Sequence, residues 1–305
     1  KLTGVTKTFG RHTAVSQLSL AVPFGCTYGF IGPNGSGKTT TIRMILNIFH
    51  PDGGGVEVLG SQSTRAANDR IGYLPEERGL YKKMTVRRVL AYYAALKGMA
   101  RADAEMEIQK WLTKMGLVEW ADKKVEVLSK GMAQKIQFIA AVVARPELLI
   151  LDEPFSGLDP VNLEVLRAAI LELRARGTTV IFSTHDMAMA ETMCDFIFMI
   201  YRGNKVLDGT LDNIQQQFGK DTIRVRCAGG VELLRSLPGV ELVRDLGQCQ
   251  ELRHPDPQAL LQALAPCTTV SHFEVCKPSL HDIFIQIAQP DEREIQPRRT
   301  TGGGS

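Results

Sequence analysis

The segment Gly32-Pro33-Asn34-Gly35-Ser36-Gly37-Lys38-Thr39-Thr40 leaves this chain few folds to choose from. Ahead of it, Thr27-Tyr28-Gly29-Phe30-Ile31 is apolar and β-prone, as expected of a buried strand. Behind it, Thr41-Ile42-Arg43-Met44-Ile45-Leu46 carries helical periodicity. Strand, glycine-rich turn and helix in that order make a unit of a parallel α/β sheet. Gly32, Gly35 and Gly37 let the backbone N–H groups of the turn converge on an anion with no Cβ in the way. The helix N-terminus adds its positive end at the same point. Lys38 can then reach the β- and γ-phosphates of a nucleotide, and the Thr39 hydroxyl suits a magnesium ion. The plainer reading, a glycine-rich turn with an exposed lysine, leaves the fitted strand and helix unexplained.

Further along, Leu148-Leu149-Ile150-Leu151 is a continuous apolar run, as expected of a strand buried on both faces of a sheet. It ends in Asp152-Glu153, two carboxylates that are costly to bury without a cation. Alone, the pair reads equally well as a solvated acidic turn. Beside a phosphate loop, Asp152 is a candidate magnesium ligand, and Glu153 a candidate to polarise an attacking water. Thr178 to Thr184 reads as another buried strand ending at His185, where a histidine can hydrogen-bond a γ-phosphate or that water. Leu128-Ser129-Lys130-Gly131-Met132 opens the apolar helix Ile136 to Ala144 and offers a second anion-binding helix start. Taken alone, Ser129 is an ordinary helix cap. A second cradle makes sense if it closes over a nucleotide held by another copy. Asn204-Lys205-Val206-Leu207-Asp208 has one residue too many for the guanine-reading Asn-Lys-x-Asp motif, which disfavours a GTPase.

The ordered set GPNGSGKTT, LSKGMAQK, LLILDEP, SGLD and STH resembles the nucleotide-binding subunit of ATP-binding cassette (ABC) transporters, over about residues 1 to 215. That resemblance implies a P-loop NTPase cassette: a RecA-like α/β core, an antiparallel β subdomain and a helical subdomain at about 84–145. It implies ATP and Mg2+ as ligands, with the phosphate loop at Gly32 to Thr40 and Phe9 stacking on adenine, Tyr28 and Tyr81 being rival aromatics. Glu153, His185 and Lys38 would be catalytic, and Thr39 and Asp152 would hold the metal. Ser129, Lys130, Gly131 and Met132 would be the signature that reaches across a dimer, and Ser156, Gly157 and Asp159 the loop linking the two sites. The resemblance also implies a membrane permease on a separate chain and a second ABC subunit, identical or not, at the cytoplasmic face of the membrane.

Two segments depart from the family pattern. The signature LSGGQ stands here as Leu128-Ser129-Lys130-Gly131-Met132, and Glu76 occupies the place of a glutamine that helps hold the metal. A carboxylate there can still ligate magnesium, but it adds negative charge near the γ-phosphate. Both departures resemble the subgroup that energises small sodium and drug exporters. Two other readings compete: a soluble ABC-type ATPase acting on ribosomes or DNA, and a regulatory subunit that binds ATP with little hydrolysis.

Composition narrows these. Of 305 residues, 44% are hydrophobic and 23% charged, as in globular proteins, and no apolar run is long enough to span a membrane. A net charge of +3, with scattered basic residues, is too small to imply nucleic acid as a partner. Six cysteines show no C-x-x-C pair and no spacing shared with histidines, which disfavours zinc or a disulfide framework and fits a reducing compartment. The chain begins at Lys1 with no leader pattern, and Thr300 to Ser305 reads as a linker remnant.

The expected organisation is a cassette over 1–218, an accessory domain over 219–290 and a tail over 291–305. In the helical lobe, Val86, Val89, Leu90, Tyr93 and Leu96 are expected on one packed face, with Tyr92, Tyr93 and Trp111 in packing roles. Val56 to Leu59 is expected to be a strand. Beyond residue 219 the order βαββαβ, with a closing helix Leu280 to Ala288, predicts a ferredoxin-like α+β domain. Its His254, His272 and His281 read as surface groups.

Overall fold

The computed structural model describes residues 1–62, 67–77, 79–218 and 222–288; Arg78 and the expected tail lie outside them. The chain divides between Leu211 and Asp212, ahead of the boundary expected at 218. In the first unit, a six-stranded sheet has the order β5-β6-β7-β3-β8-β9. Its strands are β3 (Thr27–Ile31), β5 (Ile71–Leu74), β6 (Leu148–Asp152), β7 (Thr179–Thr184), β8 (Phe196–Tyr201) and β9 (Asn204–Gly209). All neighbours run parallel except β9, which closes antiparallel on β8.

These strands read as unbroken apolar runs because both faces are covered. Tyr28, Phe30, Ile150, Ile181, Phe198 and Ile200 pack on one side. Leu149, Leu151, Val180 and Phe182 pack on the other. Neither set has room to alternate with polar residues. Polar groups are therefore displaced to the strand ends.

Helix α1 (Lys38–Ile45) follows β3 directly, and Gly37 at its cap has φ 113°, a conformation that favours glycine. The antiparallel subdomain is a three-stranded sheet, β2-β1-β4, with β1 at Leu2–Phe9, β2 at His12–Leu20 and β4 at Gly53–Val56. Here the sequence expectation was displaced. The glycines Gly53 to Gly55 form the strand with Val56, Gly53 paired to Thr6, Gly55 to Thr3 and Val56 to Leu2, and Val58 makes only an isolated bridge to Ser61. A Cβ at Gly54 would meet the Gly4 carbonyl oxygen at 2.3 Å, so close strand approach is what selects glycine there.

The helical lobe holds α2 (Val86–Leu96), α3 (Arg101–Lys114) and α4 (Lys130–Val142). Thr85 caps α2, accepting the Arg88 N–H. Val86, Val89 and Leu90 are fully buried, joined by Trp111 and Phe138 in an edge-to-face pair. Leu96 departs from the expected face and is 58% exposed, because α2 ends there in the turn at Gly98. Helices α5 (Pro160–Ala175) and α6 (Met187–Met193) follow β6 and β7.

The second unit begins within α7 (Leu211–Phe218) and contains β10 (Thr222–Cys227), α8 (Gly230–Ser236), β11 (Glu241–Asp245), β12 (Gln250–Arg253), α9 (Pro257–Leu264), β13 (Val270–Cys276) and α10 (Leu280–Ala288). Its antiparallel sheet order, β11-β12-β10-β13, is that of the ferredoxin-like fold. Ile223, Val225, Leu252, Leu260 and Leu264 form its core. Among the described residues, no helix is long and apolar enough to cross a membrane.

Phe198 is fully buried and its ring centroid lies 5.1 Å from that of Phe30. Phe198→Ala is expected to destabilise the first unit by about 3–5 kcal/mol, read as a lowered urea midpoint.

Candidate functional site

Strands β3, β7 and β6 are adjacent, and all end at the same sheet edge. The loop after β3, the Ser183–His185 end of β7 and the Asp152–Glu153 end of β6 are thereby set side by side. Ligands of open α/β sheets bind at such carboxyl ends. A cavity of about 370 Å3 lies there, lined by Phe9, His12, Ala14, residues Asn34 to Thr40, Glu76, Asp152 and Glu153.

The loop is shaped by backbone clearance. A Cβ on Gly32 would sit 2.2 Å from the Ile200 carbonyl oxygen, and one on Gly37 would sit 2.6 Å from that of Ala14. Gly35 has φ 75° with open space around it, so its glycine serves the turn conformation. Lys38, 6% exposed, donates to the carbonyls of Gly32 at 2.7 Å and Pro33 at 3.1 Å. Burial pushes its ammonium below the usual lysine range, against the pull of Glu153, Asp152 and Glu76. The Ser36 hydroxyl is buried with no hydrogen-bond partner, as a group awaiting one from a ligand would be.

The Asp152 carboxylate and the Glu153 backbone are held by one residue that sequence reasoning did not single out for the site. Ser183, fully buried, donates to Asp152 Oδ1. Its hydroxyl also accepts the Glu153 backbone N–H at 3.2 Å, and its carbonyl accepts the same N–H at 3.2 Å. Glu153 needs such a clamp, because its φ of 50° is unfavourable for a side-chain-bearing residue. A serine in an otherwise apolar strand, two residues before His185, was the available signal. Thr39 Oγ1 lies 3.5 Å from Asp152 Oδ1. These are hard oxygen donors of the kind magnesium takes, so the residues present fit that ion. Glu76 is exposed at the cavity's edge.

His185 Nδ1 is 2.9 Å from Glu153 Oε1, with its ring 58% exposed and Glu153 10%. The expected partner of this histidine was phosphate or water; in the structure it holds the glutamate. Phe9 is 46% exposed at the cavity and braces edge-on against Phe49. Its rivals are placed elsewhere. Tyr28 is buried with its hydroxyl on Asp208 at 2.6 Å, and Tyr81 packs on Tyr92.

The signature residues do not line this cavity. Ser129 accepts the Met132 N–H at 3.2 Å and caps α4, and both Ser129 and Lys130 are exposed. Gly131 is half-buried beside Asn162. In the loop after Glu153, Ser156 and Gly157 are exposed, and Asp159 caps α5 through Asn162. The backbone N–H of Asn162 holds the Asp159 carboxyl below the usual range.

Sheet order, glycine loop and carboxylate edge together define a P-loop nucleotide-binding protein. Comparison with known proteins specifies the family. The ABC transporter model matches residues 15–156, a DrrA1-3-like ATP-binding protein C-terminal domain matches 209–288, and an AAA-domain model matches 123–190. An uncharacterised ABC transporter ATP-binding protein, YhaQ of Bacillus subtilis, is 42% identical over 92% of this chain and 96% of its own length. A Nod factor export ATP-binding protein I of Burkholderia lata is 36% identical over 72% of this chain and 74% of its own. A solved ATP-binding subunit of an ABC transporter superposes with a TM-score of 0.68 at 30% identity, covering 72% of this chain and 92% of that one. The chain belongs to the ABC transporter ATP-binding proteins.

Gly37→Ala forces a Cβ against the Ala14 carbonyl in a left-handed conformation. It is expected to abolish ATP binding, measured by titration calorimetry, while the circular dichroism spectrum stays that of the parent.

Proposed function

We propose that this chain hydrolyses MgATP and uses the cycle to drive a separate membrane permease, as the energising subunit of an exporter. The observation that carries this reading is the convergence of Lys38, Thr39, Asp152 and the Glu153–His185 pair on one cavity edge. Lys38 would leave its carbonyl partners for phosphate oxygens, a stronger, charge-assisted contact. Thr39 and Asp152, with Glu76 beside them, would hold a magnesium ion, which neutralises phosphate charge when bound. Glu153 would orient and polarise the attacking water, with His185 fixing the carboxylate from its outer side. Phe9 would lie against the base at the cavity edge.

The exposed Ser129–Met132 helix start lies outside this chain's own cavity. That supports a dimer in which each copy's signature closes the other copy's site, with Ser156, Gly157 and Asp159 between them. Substrate export is supported by a relative named for Nod factor export. The cytoplasmic membrane face and a permease partner follow from the same kinship. Ribosome- or DNA-acting function has no comparable support, since the chain carries only +3 net charge.

Glu153→Gln is expected to bind MgATP with near-parent affinity and to lose about 100-fold or more of the phosphate release rate. Retained hydrolysis at the parent rate in the permease-containing complex would refute the role. Ser183→Ala removes the hydroxyl that holds the Asp152 carboxylate and one of the two acceptors of the Glu153 backbone N–H. It is expected to lower kcat by about tenfold with KM for ATP little changed, and with partial recovery in Ser183→Thr.

A further inference from the structure

The two edges of the second unit's sheet are built differently. Edge strand β11 carries a register break between Leu242 and Arg244, and Arg244 is drawn to Asp282 at 2.9 Å. Bulges and tethered charges of this kind keep an edge from pairing. The opposite edge strand, β13, is regular over most of its length, its register shift falling at its start, between Val270 and His272, and its hydrogen-bonded pair, His272 and Glu274, lying within the strand. It pairs with β10 in unbroken register from Thr222↔Cys276 to Arg226↔His272. No strand among the described residues pairs with its outer side. Residues 271–276 contain no proline, lysine or arginine, and Val275 is 48% exposed although it stands on the core-facing side of the strand. Left bare, such an edge is a template for another strand.

We propose that β13 pairs antiparallel with β13 of a second copy of this chain, about a two-fold axis at Phe273, to make one continuous eight-stranded sheet from two four-stranded ones. The sequence chooses the occupant. A two-fold antiparallel pairing that keeps both cores on one side must centre on a residue. Centring on Glu274 sets like carboxylates against each other, and centring on His272 sets histidine against histidine. Centring on Phe273 sets His272 opposite the partner's Glu274 and Glu274 opposite the partner's His272. His272 Nε2 already lies 3.3 Å from Glu274 Oε2 within one strand, with side chains 47% and 55% exposed. The pairing would convert two isolated surface pairs into a square of alternating partners. On the other face Phe273 meets the partner's Phe273, and exposed Val275 is covered beside the partner's Ser271. An isologous contact of this type closes on itself and builds no filament.

This dimer is independent of nucleotide and of the ATP site, so it is tested without either. Sedimentation velocity on the full chain, with ATP and magnesium removed and concentration varied, is expected to show a monomer–dimer equilibrium. His272→Glu places carboxylates opposite carboxylates and is expected to weaken association about tenfold. The exchanged double variant His272→Glu/Glu274→His again sets imidazole opposite carboxylate and is expected to regain parent-like association. Both positions are exposed, so folding is not at issue. A monomeric parent chain overturns the proposal, as does His272→Glu associating like the parent, or a double variant no tighter than the single.

Discussion

Parallel strands covered on both faces can carry polar chemistry only where they stop. In this molecule that rule decides where function is placed. Strands β3, β6 and β7 are packed mainly with isoleucine, leucine, valine and phenylalanine through their middles; apart from the Tyr28 hydroxyl their polar side chains stand at the ends, Thr27 and Thr179 where β3 and β7 begin, and Asp152, Ser183 and Thr184 where β6 and β7 stop. Because β7 lies between β3 and β6, its last residues face both the phosphate loop and the acidic pair. Ser183 can bind Asp152 and Glu153 at once for that reason, and His185 can reach Glu153 from the neighbouring strand. The site depends on strand order more than on any one side chain.

Within that frame, unfavourable features hold one another in place. The backbone at Glu153 sits in a left-handed conformation costing about 1–2 kcal/mol, and two acceptors from Ser183 fix its N–H there. Burial disfavours the charged form of Lys38, while the nearby carboxylates favour it. Its hydrogen bonds to Gly32 and Pro33 close the loop on its own lysine. The Ser36 hydroxyl has no hydrogen-bond partner among the described residues. The Lys38 ammonium and the Ser36 hydroxyl are better satisfied by a polyanion than by the protein, which is the physical content of calling the loop preorganised.

What the sequence disclosed, and what it hid, follows the range of the interactions involved. Strand β3, helix α1 and the runs ending at Asp152 and Thr184 are local in pattern, and their positions were legible from apolar runs and glycine spacing. The βαββαβ order beyond residue 222 was legible for the same reason. Strand β4 was not: glycine usually argues against a strand, and only the approach of Gly4 across the sheet explains Gly54. Leu96 fitted the helical period but is exposed at the last residue of α2, because period says nothing about where the helix itself stops. Ser183 was invisible as a site residue because its meaning comes from β6, some thirty positions away in the chain. Likewise, only three-dimensional placement shows Phe9 at the cavity, Tyr28 bonded to Asp208 and Tyr81 packed on Tyr92.

The two departures from the family pattern can be weighed on the same terms. In the signature, Ser129 still caps α4 and Gly131 keeps its place against Asn162, so the helix start survives with Lys130 and Met132 in the altered positions. A helix N-terminus acts through backbone N–H groups, which substitution of side chains leaves in place. Glu76 is a different matter, because a charge acts at a distance. With Asp152 and Glu153 it gives three carboxylates around one lysine, all pulling on Lys38. That balance is negative before any phosphate arrives, and a triphosphate makes it more so. A divalent cation corrects it, and the correction is larger here than it would be with a neutral glutamine at position 76. Were a magnesium ion held at this oxygen-rich edge, the substitution would tie nucleotide binding more closely to it.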